Sequence, residues 1–226
     1  MGITDAHSRP PQMKNPEMDQ ISPYDRNIVH GNPTLGDDDD REERSSSIID
    51  KHLIEARIVM CSGPVTDKMA RNVTSRILVM EATDPSRPVT VYINSPGGSA
   101  DSGFAIYDIL RFAAPPVRTV VSGLCASAGI LIQLAGEDGQ RFSLPESRFM
   151  IHQPSTAGQG TASDLDITAR EVMKLRVRYN RIIADATGKS EEDVVAHAHR
   201  DFWLNAVEAA EYGLIERVIA NRSELD

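Results

Sequence analysis

The sequence predicts an α/β fold in which helices flank a largely parallel sheet. Short apolar segments such as VTVYIN, residues 89–94, alternate along the chain with segments whose apolar residues recur at helical spacing. Turns made of small residues, NSPGGS and GLCASAG, join strand to helix. Because strands that alternate with crossover helices pair in parallel, this order predicts a sheet covered by helices.

The predicted elements begin at residue 56 and follow one another along the chain. The strands are short apolar segments, and they cover residues 56–63, 89–94, 117–124, 148–153 and 214–220. The helices have apolar residues at helical spacing or a polar N-cap, and they cover residues 66–82, 100–113, a segment that begins at Ser127, residues 164–187, and two short segments capped by Ser190 and Asn205. Gly188 ends the long helix, because glycine readily adopts the left-handed conformation found there.

Residues 1–47 differ in composition from the rest of the chain. They are rich in Pro, Asn, Asp and Ser, include GDDDDREERSSS, and have neither helical nor alternating periodicity. Such a segment buries too little apolar area to offset the entropy lost on ordering. We therefore expect a disordered or processed N-terminal tail, followed by one domain over residues 48–226, which is long enough for a substantial core.

Charge and hydropathy exclude several classes of function. A formal charge of -9 without a basic patch argues against nucleic acid as a partner. No run of 18 apolar residues and no secretory signal pattern is present, so we expect a cytoplasmic protein without a membrane partner. Cys61 and Cys125 lie in apolar segments without metal-type spacing, which favours small buried side chains. We expect neither a metal nor a cofactor in this chain.

Two small-residue turns are the candidate sites of chemistry. Gly97 and Gly98 allow backbone N–H groups to approach a ligand closely, as an oxyanion hole or a phosphate cradle requires. The loop lacks the lysine of a phosphate-binding loop, and a simple tight turn remains an alternative. Ser127 stands at the second turn between alanines, which resembles the elbow of serine hydrolases. A lone serine before a helix is more often an N-cap, so this hydroxyl needs a base to become a nucleophile.

His152 is the candidate base, because it follows the apolar strand RFMI and so lies at a strand end. A satisfied core histidine is the alternative. The remaining histidines fall in the tail, at its edge, or in a polar short helix. A serine activated by histidine needs a carboxylate that orients the imidazole. Asp201 precedes the apolar FWL and is expected to be buried at an element boundary, whereas Asp185 and Asp193 are expected at the surface. The residues alone thus indicate a candidate serine hydrolase.

Several motifs in fixed order resemble a known family. These are INSPGG, GLCASAG, FSLPESRFMIHQP, GQGTASDLDITAREV and NAVEAAEYGLIERVI, and over about residues 55–220 they resemble the proteolytic subunits of the caseinolytic Clp protease. The resemblance implies a fold shared with crotonases, made of repeated β-β-α units. It also implies a protruding strand–helix handle at about residues 154–187, whose Gly-rich strand would pair across a ring interface.

The resemblance assigns roles to the candidate residues. Ser127 matches the family's nucleophile, His152 its general base and Asp201 its third triad member. Gly98 and Ala128 match the backbone donors of its oxyanion hole. The implied activity is that of an ATP-dependent serine endopeptidase that hydrolyses unfolded polypeptides.

The resemblance also implies an assembly. The family forms two stacked heptameric rings around a closed chamber, so we expect a homo- or hetero-tetradecamer. A hexameric Clp-family AAA+ unfoldase would feed the chamber and use the ATP. Tyr92, Phe112 and Phe142 correspond to the surface on which the family docks that unfoldase.

Other functions remain as alternatives at this point. A degenerate or regulatory ring subunit could act with a paralogous active subunit, since Thr90 and Ser122 are polar where larger apolar docking residues are expected. A crotonase-type acyl-CoA hydratase would share the glycine-rich turns but would not need Ser127, His152 and Asp201 together. A related signal-peptide peptidase would pair serine with lysine and leave His152 and Asp201 without a role.

Overall fold

The computed structural model describes residues 48–155 and 159–225, which belong to one unit, Ser47–Asp226. The predicted N-terminal tail lies outside the described residues. The strands are β1 (Ile58–Ser62), β2 (Val89–Ser95), β3 (Val117–Ala126), β4 (Arg141–Ser143), β5 (Arg148–Ile151), β6 (Phe202–Asn205) and β7 (Arg217–Val218). The helices are α1 (48–55), α2 (Asp67–Thr83), α3 (Ala100–Phe112), α4 (Ala128–Leu134), α5 (Ala162–Thr187), α6 (Glu191–His197) and α7 (Ala206–Tyr212), with a 3₁₀ turn at Arg222–Leu225.

The strands form one mixed sheet whose main path, β1-β2-β3-β4-β7, is parallel, as the alternation of strands and helices predicts. One edge of the ten-residue strand β3 pairs with β2, and its other edge serves two partners. Its first half pairs with β4, and residues Leu124–Ala126 pair in parallel with β5. Strand β6 runs antiparallel to β5. Because β3 and β5 are parallel neighbours, the residues that follow them meet at the same edge of the sheet.

Helix α4, which follows β3, is surrounded by the protein core, and this explains its apolar composition. All seven of its residues, AGILIQL, are buried, because α4 packs against α3, α5 and the ends of β2 and β3. A helix surrounded by protein is apolar on every side. It therefore provides a rigid support at the carboxyl edge of the sheet.

The sequence missed helix α1 and the short strands β4 and β6, and it overestimated the length of β7. Strand β6 was not predicted, because its four residues FWLN are too few to show an alternating pattern and its partner β5 is distant in the chain. Strand β7 has two residues instead of the predicted 214–220. The helix expected to begin at Ser127 begins at Ala128. The other predicted strands and helices agree with the observed bounds within two residues at each end.

Helix α5 has two different halves. Residues 162–171 are all exposed, whereas Tyr179, Asn180, Ile183 and Ala184 are buried against the domain. A Thr161 capping box and a left-handed Gly188 limit the helix, close to the predicted range 164–187. Residues 152–155 and 159–161 are not in a strand, and 156–158 lie outside the described residues. The handle strand stays a prediction, since a strand that pairs only with another chain has no partner within one chain.

Candidate active site

Ser127 occupies a sharp turn between β3 and α4. Its φ of 54° and ψ of -122° lie outside the regions that residues with a side chain normally adopt. Although Ser127 holds the N-cap position of α4, its hydroxyl caps no N–H in the described part of the helix. The strained turn instead turns the hydroxyl away from the helix, as in a nucleophile elbow.

The glycine turn after β2 packs directly on the serine turn. A Cβ atom on Gly97 would lie 2.6 Å from Cβ of Ser127 and 2.7 Å from the carbonyl oxygen of Ala126. Gly97 also has a φ of 88°, which favours glycine. The two turns can therefore meet only because this position has no side chain.

His152 is the first residue after β5, and its Nε2 atom lies 2.8 Å from Oγ of Ser127. The parallel pairing of β3 and β5 sets this contact, since Ala126 lies opposite Met150. The N–H of Ser127 donates to the carbonyl oxygen of Met150 at 2.9 Å, which extends the pairing to the serine itself. The strand that carries the histidine thus also holds the backbone of the serine.

Asp201 reaches the other nitrogen of the imidazole. Ile151 pairs with Phe202 in the antiparallel β5–β6 ladder, so the residues just beyond, His152 and Asp201, become neighbours. The Nδ1 atom of His152 lies 3.4 Å from Oδ1 of Asp201, longer than an ordinary N–H···O hydrogen bond.

The expected burial of Asp201 is wrong, although its place at an element boundary is right. Its side chain is 63% exposed, while that of His152 is 27% exposed. The carboxylate approaches the imidazole from the solvent side because β6 is an edge strand. Water screens such a pair, so it adds little to the stability of the fold. Asp185 and Asp193 lie exposed on α5 and α6, as expected.

Gly98 and Ala128, which line the same cavity as Ser127, carry backbone N–H groups in the two turns. Gly98 forms a β-bridge with Val65, in which Val65 N–H donates to the carbonyl of Gly97 and Ser99 N–H donates to the carbonyl of Val65. This bridge does not use the N–H of Gly98. Ala128 is the first residue of α4, where N–H groups lack a partner in the helix. Neither N–H donates to an acceptor within residues 48–155 and 159–225. Such a pair can bind a negatively charged oxygen.

A cavity of about 450 Å³ lies in front of these groups. Ser127, His152, Gly98 and Ala128 all line it. Its remaining wall is mainly apolar and is contributed largely by α3, α4, β5 and α5, through Phe104, Leu131, Met150, Val172, Leu175 and Tyr179. The cavity therefore combines a serine–histidine pair, free N–H donors and an apolar wall.

Comparisons with known proteins identify the family. A family model described as Clp protease matches residues 40–222. The chain belongs to the Clp protease family. Among solved structures, a mutant of ClpP1 from Listeria monocytogenes is similar at 40% sequence identity and a TM-score of 0.73, and the match covers 79% of this chain and 99% of that one. The matched range is somewhat longer than the resemblance recognised in the motifs.

In this member of the Clp protease family, the three aromatic residues predicted to dock an unfoldase lie in different environments. Phe112 ends α3 and is 81% exposed. Tyr92 is half-buried and packs on a small apolar cluster that contains Phe142. Phe142 itself is only 3% exposed, because Leu225 of the C-terminal turn also packs in that cluster. Phe142 therefore presents little surface to a partner, which the sequence did not foresee.

The other candidate groups lie away from the cavity. Within the described chain, His152 is the histidine that lines it. His197 is exposed, as expected, and its ring stacks on Phe202 with ring centroids 5.0 Å apart. Burial raises the pKa of Cys61 to about 12 and also raises that of Cys125, so both thiols stay neutral. In residues 48–155 and 159–225 no three His, Cys, Asp or Glu side chains form a group that could hold a metal ion. No helix of this part of the chain is long and apolar enough to cross a membrane.

In this Clp protease family member, the sequence alone did not predict which residues form the apolar wall of the cavity. Val172, Leu175 and Tyr179 recur at helical spacing on α5, which predicts an apolar face. The spacing does not reveal what that face packs against, because residues distant in the chain determine it. The contact between Gly97 and Ser127 was missed for the same reason.

Proposed function

We propose that this chain is an ATP-dependent Clp-type serine endopeptidase that hydrolyses peptide bonds of unfolded polypeptides. The observation that carries the proposal is the 2.8 Å contact between Ser127 Oγ and His152 Nε2, with Asp201 beside the other ring nitrogen. This order of hydroxyl, imidazole and carboxylate suits nucleophilic attack on a carbonyl. A partner unfoldase would use the ATP.

In the proposed acylation step, Ser127 Oγ attacks the peptide carbonyl carbon while His152 Nε2 takes the hydroxyl proton. The carbonyl oxygen becomes negative and accepts N–H bonds from Gly98 and Ala128, each worth about 3–4 kcal/mol in such sites. The intermediate then expels the amine, which receives the proton from His152. An ester to Ser127 and a shortened peptide with a new amino terminus result.

In the proposed deacylation step, water replaces the amine. The oxygen of the water attacks the ester carbon while His152 takes a proton from that water. His152 then returns the proton to Ser127 Oγ. The product leaves as a carboxylic acid and the hydroxyl is restored. Throughout, Asp201 stays ionised and keeps the Nδ1–H tautomer of His152.

The cavity wall supports a preference in the substrate. Leu131, Met150, Val172 and Leu175 line the space beside Ser127. Transfer of an apolar side chain into such a space is favourable by about 25 cal/mol per Å² of buried surface. We therefore expect cleavage next to apolar residues, whose exposure is typical of unfolded chains.

Exposed apolar side chains along α5 support assembly into rings. They belong to Leu165, Ile167, Met173 and Val177. A helix with apolar residues in solvent is stabilised when another subunit covers it. We propose a tetradecamer of two heptameric rings, homomeric or with a paralogous subunit, that receives substrate from a hexameric Clp-family AAA+ unfoldase.

Covalent labelling tests the catalytic proposal. A fluorophosphonate probe is expected to modify about one serine per chain, and Ser127→Ala is expected to abolish the label, since probes of this class phosphonylate activated serines with loss of fluoride. Ser155→Ala is the matched control and is expected to keep the label, because Ser155 lines the same cavity. Unlabelled wild-type protein, or label retained in Ser127→Ala, would contradict the proposal and favour a regulatory subunit or a hydratase.

Native mass spectrometry tests the assembly. Purified chain is expected to give a species of fourteen copies. Charged substitutions at the exposed apolar positions of α5, Ile167→Asp with Met173→Asp, are expected to reduce it to single rings or smaller species. A wild-type chain that stays smaller than a heptamer, with or without a paralogous subunit, would contradict the assembly.

A further inference from the structure

The hydroxyl of Tyr179 makes a contact that the triad does not explain. Tyr179 lies on α5 and is 4% exposed, yet its Oη atom donates a hydrogen bond to the backbone carbonyl oxygen of Ser127 at 3.1 Å. The ring also lines the cavity in front of the serine. A residue distant in the chain thus binds the backbone of the candidate nucleophile.

The backbone of Ser127 is held on both sides. Its N–H donates to Met150 on β5, and its carbonyl oxygen accepts from Ile130 N–H at 3.0 Å as well as from Tyr179. These contacts come from three different elements, β5, α4 and α5. A φ of 54° at a serine costs free energy, and such a conformation persists only when its surroundings determine it strongly.

The contact of Ile130 alone does not fix the turn. It joins Ser127 to the first turn of the helix that Ser127 itself precedes, so both ends can move together. Tyr179 instead anchors the carbonyl to the buried half of α5, beside Asn180, Ile183 and Ala184. A hydrogen bond to a separate, packed element restricts rotation of the peptide group that follows the serine.

We propose that Tyr179 is a positioning residue that holds Ser127 in the strained conformation in which Oγ reaches His152. This inference rests on the proposed serine-peptidase function. The phenol acts through the serine backbone, since its hydrogen bond goes to the carbonyl oxygen and not to Oγ. Without it, the turn relaxes part of the time, and a smaller fraction of molecules has Oγ within reach of the imidazole.

The protonation state of the phenol fits this role. Burial raises the pKa of Tyr179 far above its usual range. The hydroxyl therefore remains a donor at every pH at which the protein is folded. Its removal should leave the shape of the pH profile of labelling unchanged, because His152 keeps its surroundings.

The test compares the rate constant and the amplitude of fluorophosphonate labelling in wild type and Tyr179→Phe. The amplitude counts folded, competent sites, and the rate constant measures how well each serine is positioned. We expect the rate constant to fall about five-fold, the effect of one neutral hydrogen bond, with amplitude and pH profile unchanged. For peptide hydrolysis, the same fall should appear in kcat with KM unchanged.

Tyr107→Phe is the matched control. Tyr107 is a half-buried tyrosine of α3 that lies outside the cavity wall. An unchanged rate constant in Tyr179→Phe would overturn the inference, as would a loss of amplitude alone or an equal fall in Tyr107→Phe. Absence of label in wild type would instead overturn the proposed function, and this inference with it. Equal rate constants of labelling in wild type and Tyr179→Phe would overturn the inference alone.

Discussion

Ser127→Ala and His152→Ala are each expected to lower kcat/KM for peptide hydrolysis by at least about 10⁴-fold, and the double variant is expected to be no slower than either single variant. The reason is that, in the proposed mechanism, hydroxyl and imidazole act as one unit through their 2.8 Å contact. Once either group is lost, the other has no partner with which to transfer the proton. The measurement is steady-state hydrolysis of a fluorogenic peptide, with protein purified free of other peptidases.

Two further variants sharpen this prediction. Asp201→Asn is expected to lose less activity than His152→Ala, because the carboxylate is 63% exposed and lies 3.4 Å from the imidazole. His52→Ala is the control, since His52 bonds Glu55 on the surface of α1 and should keep full activity. Losses that multiply in the double variant would mean that Ser127 and His152 act independently, and the proposed mechanism would be wrong.

Gly97→Ala is expected to reduce the fluorophosphonate labelling rate of Ser127 by about 100-fold, the effect of a displacement near 1 Å in an active site. The added methyl group would lie 2.6 Å from Cβ of Ser127 and 2.7 Å from the carbonyl of Ala126, so one of the two turns must shift. The shift moves Oγ away from Nε2 of His152. Labelling kinetics and thermal unfolding are measured on the same preparation.

Gly139→Ala separates this steric effect from backbone strain. Gly139 has a φ of 80°, close to the 88° of Gly97, but a Cβ atom there meets nothing within 4 Å. Both substitutions should destabilise the fold by about 1–2 kcal/mol through the left-handed backbone. Only Gly97→Ala should slow labelling. Equal labelling rates in the two variants would show that the contact between the turns does not position the serine.

The order of elements was predictable because each has a local cause. The apolar strands Val89–Ser95 and Val117–Ala126, the N-caps Ser190 and Asn205, and the left-handed Gly188 act within a few residues of themselves. The strand β6 was not predictable in this way. Its stability comes from antiparallel pairing with β5, and four residues carry no periodic signal of that partner.

The sequence by itself determined the alternation of strands and helices, the two glycine and serine turns, and, through its ordered motifs, the family and the candidate residues Ser127, His152 and Asp201. These features depend on neighbours in the chain or on residue identity. Only the tertiary structure decided the distances between those side chains, the exposure of Asp201, the burial of Phe142 and the contact of Tyr179 with the serine backbone. Such features depend on pairing and packing between residues far apart in the chain, which no local pattern encodes.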